Sequence, residues 1–509
     1  MLKPFLTAFG IAWLLGFSLL GAWSISTPLG ASPDEPAHLV KAASVARGEY
    51  IGKSGIAEGQ VVVVPEYVAF VSQQLCFARD EDASAACAPE EPSTDPGRLV
   101  TASTTAGLYN PVYYSITGWP SLLFHNDAGV YGMRLVSALI VALFLAVPLA
   151  LLRTWKRATV PVIGFMVATT PMVLFLGGVE NPNALEIAAT LSTFVSFYSV
   201  MHRRSPIPAW LQWAIVALSA SIAVNMRGLS ALWVAVVILS VLVSVSRKDL
   251  ASRFASTAAR AAVIVIVAAT IGALVWLFST NSLGTGLEGS GSSPNSPGTG
   301  TSALVGFAYT LLSTAEYGRG VIGVFGWLDT PAPPFVYFVW STLIGGLLVL
   351  CFTLVRTGKL AMASILTLST LLLPPLLQGA YITGGGIIWQ GRYILPVFVC
   401  LMVGLAIAIG DKIPLSASIG RRLSSLVIAA WALAQFYAFA TALRRYAVGI
   451  DRSWGHLLPI EWSPPGGFLL SLIIFGGLIL LTGVGLISAL NAAASRDAKS
   501  RMYRFDTTG

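Results

Sequence analysis

Few residues in this chain could do acid–base or phosphate chemistry, and they fall in short clusters. The first is Ser-Pro-Asp-Glu-Pro-Ala-His at 32–38, where Asp34 and Glu35 stand between Pro33 and Pro36, with His38 close behind. Prolines fix φ and restrict the residue before them, so the two carboxylates are held on a stiff turn. Such carboxylates suit a general base that takes a proton from a sugar hydroxyl. They equally suit a divalent cation beside a phosphate, or a plain helix cap with solvated acids. Spacing does not separate Asp34 from Glu35. His38 has no second histidine near it in sequence, which makes it a hydrogen-bonding neighbour rather than a metal ligand.

Four further clusters follow. Gly-Gly-Val-Glu-Asn-Pro-Asn at 177–183 supplies Glu180, Asn181 and Asn183, and Glu186 lies one turn beyond Asn183 on the same helix face. Carboxylates inside a membrane segment are costly and mark functional sites, although an Asn cap of that helix accounts for part of the pattern. Trp-Gln-Gly-Arg-Tyr at 389–393 contains Gln390, Arg392 and Tyr393 in an otherwise apolar, glycine-rich stretch. The planar fork of Arg392 fits phosphate, with interfacial snorkelling as the alternative. Arg227, Arg319, Arg444 and Arg445 are further cations expected on the same side. Gly-Trp-Leu-Asp-Thr-Pro at 326–331 offers Trp327 and Asp329 as a sugar-stacking platform or a loop-shaping pair. Tyr113 and Tyr114, in the run Tyr109-Asn110-Pro111-Val112-Tyr113-Tyr114, serve a site or an interface equally well. Cys76 and Cys87 are expected to close a small acidic loop as a disulfide, whereas Cys351 and Cys400 lie in apolar runs as packing residues.

The elements that position these residues follow from composition. Of 509 residues, 55% are hydrophobic and 11% charged, against about 25% charged in soluble domains. Soluble and nucleic-acid-binding proteins are thereby excluded. A span needs roughly 20 apolar residues. Runs near 6–26, 129–152, 160–177, 183–201, 209–224, 229–246, 261–279, 335–355, 361–377, 393–410, 423–442 and 468–490 meet that need. The expectation is an all-α integral membrane protein with about 12 transmembrane helices. With the N-terminus inside, 19 of the 31 Lys and Arg but only 4 of the 23 acids fall in inside segments. This asymmetry places both termini in the cytoplasm. One polytopic domain then covers 1–490, followed by a short basic tail at 491–509. Large outer loops run over 28–128, 280–334 and 443–467, with interfacial helices near 111–124 and 303–325. The Gly/Ser/Pro-rich stretch at 281–301 should be mobile. No G-x-x-x-x-G-K-[ST] loop is present, which argues against an ATP-driven pump.

Taken in order, Pro33-Asp34-Glu35-x-x-His38, Asn110-Pro111-x-Tyr113-Tyr114, Asn181-Pro182-Asn183, Gly326-Trp327-Leu328-Asp329 and Gln390-Gly391-Arg392-Tyr393 resemble the motifs of a bacterial family of polytopic membrane proteins of unknown function. That family is similar in plan to GT-C glycosyltransferases. The resemblance implies a GT-C-like fold and an outer-face transferase of the bacterial plasma membrane. Such an enzyme moves a sugar from a polyprenyl-phosphate donor to a cell-envelope glycan or glycolipid, with inversion. It implies Asp34 as base, Glu35 assisting or binding the acceptor, and Arg392, helped by Arg227, on the donor phosphate. The other motif residues would bind substrate. No cofactor or metal is required, and the partners are membrane lipids, donor and acceptor rather than nucleic acid. The sequence departs from the pattern at Asn183, where Asp is expected, which shifts attention to Glu180 or Glu186. Two rivals stand: a transporter or flippase of a lipid-linked glycan, and a non-catalytic assembly scaffold. Against transport, no repeat relates the halves, and the polar candidates gather at one face.

Overall fold

The computed structural model describes residues 2–54, 59–90, 95–282, 297–356, 358–413 and 415–506, with His456 and 492–506 as backbone only. Most of the Gly/Ser/Pro-rich stretch lies outside the described residues. α1 (Leu2–Ser26) leads into an extended connection holding α2 (Glu35–Ala46), β1 (Lys53–Ser54), β2 (Gln60–Pro65), α3 (Glu66–Phe70), β3 (Leu99–Thr104) and α4 (Val112–Thr117). Then come α5 (Ala128–Arg153), α6 (Thr159–Ala168), α7 (Pro171–Gly177), α8 (Pro182–Met201), α9 (Ala209–Val224), α10 (Ser230–Leu242), α11 (Arg247–Phe254) and α12 (Thr257–Ser279). The second half holds α13 (Ala303–Leu312), α14 (Thr314–Gly323), β4 (Val324–Phe325), β5 (Thr330–Pro331), α15 (Pro334–Leu354), α16 (Gly358–Gly385), α17 (Leu395–Lys412), α18 (Ala417–Val448) and α19 (Phe468–Asp506).

Every segment expected to span is helical, but not every one is long enough. Among the described residues nine helices could cross a bilayer by length and composition, or ten if α6 and α7 form one broken span. α9 and α10 are only 16 and 13 residues long, below the roughly 20 that a straight crossing requires. The count of twelve is therefore not reached by helix length. The purely helical expectation also needs amending. The β-branched run in Gln60–Pro65 pairs antiparallel with Leu99–Thr104 and, at its start, with Lys53–Ser54, as Val-rich alternation favours.

α8 is the axis of the bundle: all twenty of its residues are buried, with α5, α9, α10 and α17 around it. Small residues set the close approaches. A Cβ on Gly164 of α6 would stand 2.3 Å from Cβ of Ala406 in α17, so only glycine lets these backbones meet. The 65° bend between α6 and α7 frees backbone carbonyls that lipid could not satisfy. Side chains take them up: Trp340 Nε1 donates to Val167 (3.0 Å), and Gln435 Nε2 and Trp431 Nε1 donate to Thr169 (2.8 and 3.2 Å). α12 stands apart, with 6% of its apolar window buried, and Trp276 near its end donates to the Leu108 carbonyl at 3.0 Å.

The long connections meet at one end of the bundle and the short ones at the other. At the short-loop end Asp411 accepts from Arg204 and Lys359, and its carbonyl accepts from Arg157. At the long-loop end Cys76 and Cys87 form the expected disulfide. Arg445 of α18 reaches into that loop and donates to the carbonyls of Phe77 (2.7 Å), Asp80 (2.7 Å) and Ala83 (2.8 Å).

Candidate active site

Asp34 sits in the turn between α1 and α2 with φ 64°, in the left-handed region. An aspartate tolerates this conformation better than most residues, because its short side chain bonds locally. The turn is pinned through the Pro33 carbonyl, which accepts from Asn181 Nδ2 (3.4 Å) and Arg392 Nη1 (3.3 Å). Arg392 Nη2 donates to Asp34 Oδ2 at 2.6 Å. The two partners differ in exposure: the Asp34 side chain is 46% accessible, that of Arg392 only 1%. Burial pushes the Asp34 pKa up, but the guanidinium of Arg392, with His38 and Arg227 behind it, outweighs that and holds the carboxyl below its usual value. A half-exposed, ionised carboxylate thus faces the solvent side of a buried cation.

His38, one turn into α2, is buried with Nδ1 at 2.9 Å from the Tyr114 hydroxyl. Burial above all holds its pKa down, to about 3, so the ring is neutral and supports the turn rather than shuttling protons. The unfolded chain takes up a proton near pH 6.5 that the folded one refuses until about pH 3. Stability should therefore fall as pH drops through that window, by about 1.4 kcal/mol per pH unit for this group. Acid unfolding of His38→Gln beside the parent checks this: the variant should lack that slope.

Glu35 departs from the expectation of two acids at one centre. Its oxygens accept from Arg134 Nε (2.7 Å) and Nη2 (2.6 Å), and both side chains are fully buried. The Glu180 backbone N–H takes a further bond to Oε1, at 3.0 Å. Arg134 also donates to the carbonyls of Ser24, Thr27 and Pro28, which the end of α1 leaves without intrahelical partners. Glu35 is thereby a structural anchor with no free lone pair directed to solvent. Arg134 was not among the sequence candidates, although a lone charge near the start of an apolar span signals a functional or paired residue.

The 177–183 cluster divides likewise. Thr117 donates to Glu180 Oε1, and burial above all pushes this carboxyl well above its ordinary pKa. Asn181 caps α8 by accepting from the Asn183 N–H, and Tyr113 bonds Ser137 at 2.8 Å. Asn183 Nδ2 donates to Glu186 (2.9 Å), whose other oxygen accepts from Ser230 (2.5 Å). The Ser230 hydroxyl oxygen accepts from the Arg227 N–H at 2.9 Å. Glu186 therefore places Arg227.

Arg227 forms no ion pair among the described residues and lies over Tyr109 (5.9 Å) and Tyr393 (4.9 Å). Arg392 lies 5.3 Å from the same Tyr393 ring. Arg227, Tyr109 and Tyr393 line a cavity of about 810 Å³, and Arg392 stands behind Tyr393. Tyr109, Glu186, Arg227, Trp389 and Tyr393 line the cavity together with apolar side chains, Trp233 from α10, Leu274 and Leu277 from α12 and Leu377 from α16, and with polar ones such as Gln60, Asn110 and Gln378. No sequence signal marked that cavity, because its apolar lining comes from three helices far apart in the chain.

Backbone contact sets the position of the Arg392 turn. A Cβ on Gly391 would stand 2.2 Å from the Tyr317 carbonyl oxygen of α14. Gly391→Ala should displace the turn and cost about 1–3 kcal/mol, read as a lower thermal midpoint in detergent. Gln390 keeps a buried Oε1 without a partner among the described residues. Trp327 and Asp329 do not join this group. Trp327 Nε1 donates to the Gly30 carbonyl (3.0 Å), and the Arg79 guanidinium covers its ring at 5.5 Å. Asp329 accepts from the Arg79 N–H (2.8 Å) and lies 3.5 Å from Arg445. Arg79 thus covers one face of the indole, and the pair clamps the disulfide loop.

Residues 17–401 match the profile of a family described as predicted membrane protein, DUF2142. The chain belongs to the DUF2142 family. No curated protein matches it. Among solved structures, the crystal structure of ArnT from Cupriavidus metallidurans in the apo state is similar to this DUF2142 chain, with 14% identity and a TM-score of 0.44. That similarity covers 96% of this chain and 78% of the other.

Proposed function

We propose that this DUF2142 protein is a GT-C-type glycosyltransferase of the bacterial plasma membrane. It moves a sugar from a polyprenyl-phosphate donor to an envelope glycan or glycolipid on the outer face. The observation that carries the reading is the adjacency of an ionised, half-exposed Asp34, a buried Arg392 and a cavity lined by Arg227 and by apolar side chains of three helices. An isoprenoid chain is matched by those side chains, and its phosphate by guanidinium donors.

In the reaction the acceptor hydroxyl oxygen attacks the anomeric carbon from the face opposite the phosphate. The new glycosidic C–O bond forms as the anomeric C–O(phosphate) bond breaks, and the bonding pair leaves on the phosphate oxygen. Asp34 takes the hydroxyl proton. Counting Asp34, Arg392 and Arg227 with the singly charged donor, the charges sum to zero. They still do when Asp34 is protonated and the leaving phosphate is a dianion. Guanidinium groups set in advance where charge develops supply the stabilisation.

Purified protein in sealed vesicles, supplied with radiolabelled polyprenyl-phosphate sugar and an envelope glycan fraction, tests this. Label should appear in a glycosidic product. Labelled lipid crossing the membrane unchanged, with no product, would overturn the reading in favour of a flippase.

A further inference from the structure

Arg392 presents its Nε and Nη2 along one edge, the pair that binds an oxyanion two-handed. Only one of the two positions is filled. Nη2 holds Asp34 Oδ2 at 2.6 Å, whereas Nε is buried with no partner among the described residues. A guanidinium donor left unsatisfied in a buried place costs free energy unless an acceptor arrives. Asp34 does not supply it: its carboxylate binds by a single oxygen and remains 46% exposed. The other groups electrostatically coupled to Asp34 are His38 of α2, bonded to Tyr114 of α4, and Arg227 of the α9–α10 turn. Neither offers an anion to Nε.

We propose that Arg392 is a latch: in the resting protein it holds Asp34, and an arriving phosphate takes the Nε/Nη2 edge with two oxygens and releases the carboxylate to act as base. The inference rests on the reading of this site as one for a phosphate-bearing donor, and adds its regulation. Without donor, Asp34 is tied down and is a poor proton acceptor. With donor, it loses its strongest positive neighbour and gains basicity where the acceptor hydroxyl must be deprotonated. Arg227, stacked on Tyr109 and Tyr393 and free of ion pairs, meets the phosphate without breaking any bond of its own. The exchange is neutral in charge: one carboxylate leaves the guanidinium as one phosphate oxyanion joins it. Arg392 is thus a positioning residue for Asp34 as well as a ligand of the donor.

The test uses carbodiimide labelling of Asp34, which requires a protonated carboxyl, on the full-length protein in detergent and phosphate-free buffer. Labelling is quantified by peptide mass spectrometry across pH, with and without farnesyl phosphate, and binding of that probe is followed by native mass spectrometry. Farnesyl phosphate should raise Asp34 labelling at a given pH by about tenfold for each unit of pKa released. Arg392→Gln should show the raised labelling without the probe and no further rise with it. Arg227→Gln, which leaves the Arg392–Asp34 bond intact, should raise the resting level far less than Arg392→Gln does. Bound probe with Asp34 labelling unchanged or lowered overturns the latch while sparing the donor site. Absence of any binding overturns both. Glu35 and Glu186 labelling in the same digests reports whether a variant has lost its fold.

Discussion

Asp34→Asn is expected to lower transfer by about 10²–10⁴-fold, the range lost when a positioned general base is removed, while the donor still binds. The variant is well matched to the question. Asparagine occupies the left-handed region as readily as aspartate, so the φ of 64° at this turn needs no repacking. The amide cannot accept the acceptor's proton, and it no longer competes for the Arg392 guanidinium. Donor affinity should therefore hold or rise as turnover collapses, which separates a base from a structural residue. The check is kcat and donor binding measured side by side. Transfer at the parent rate in Asp34→Asn would remove Asp34 from the chemistry.

Glu35→Ala, one residue away, should do something different: unfold the protein rather than silence it. Truncating one partner of a fully buried pair leaves the other charge unpaired, at a cost of about 3–5 kcal/mol. The pair here joins α2 to α5, and Arg134 also closes the end of α1 through three carbonyls. Replacing both by apolar residues, as in Glu35→Leu with Arg134→Met, should recover only part of the loss, because the Ser24 and Thr27 carbonyls lose their Arg134 donor. Thermal midpoints in detergent decide it. Glu35→Ala melting like the parent would contradict the anchoring role, and Glu35→Ala melting like the parent but inactive would return Glu35 to the reaction centre.

The contrast between adjacent acids marks where sequence reading runs out. Prolines on both sides announce a stiff turn, so Asp34 and Glu35 stand out as candidates from spacing alone. Which acid stays free depends on Arg134, 99 residues on, and no local pattern carries that partner. The same limit left Trp327 and Asp329 open between a sugar platform and a loop-shaping pair, because Asp329 finds its partners in Arg79, 250 residues away, and in Arg445. Hydropathy placed the helices well, because a bilayer demands apolar runs wherever helices cross it. Helix length does not confirm the spans expected at α9 and α10, which are short apolar helices packed around α8. Asn183 shows a milder failure. Its side chain serves the Arg227 turn through Glu186 and Ser230, a relay invisible until the three helices are assembled.

On the proposed reading, Asp34, Arg392, Arg227 and the cavity beside them make one site for a lipid-linked phosphosugar. A structure determined with bound polyprenyl phosphate tests it most directly. The phosphate should contact Arg392 and Arg227, with the first isoprene units between α10, α12 and α16, and Asp34 should have left Arg392. Lipid density elsewhere, with the cavity empty and the Asp34–Arg392 pair unbroken, would contradict the account.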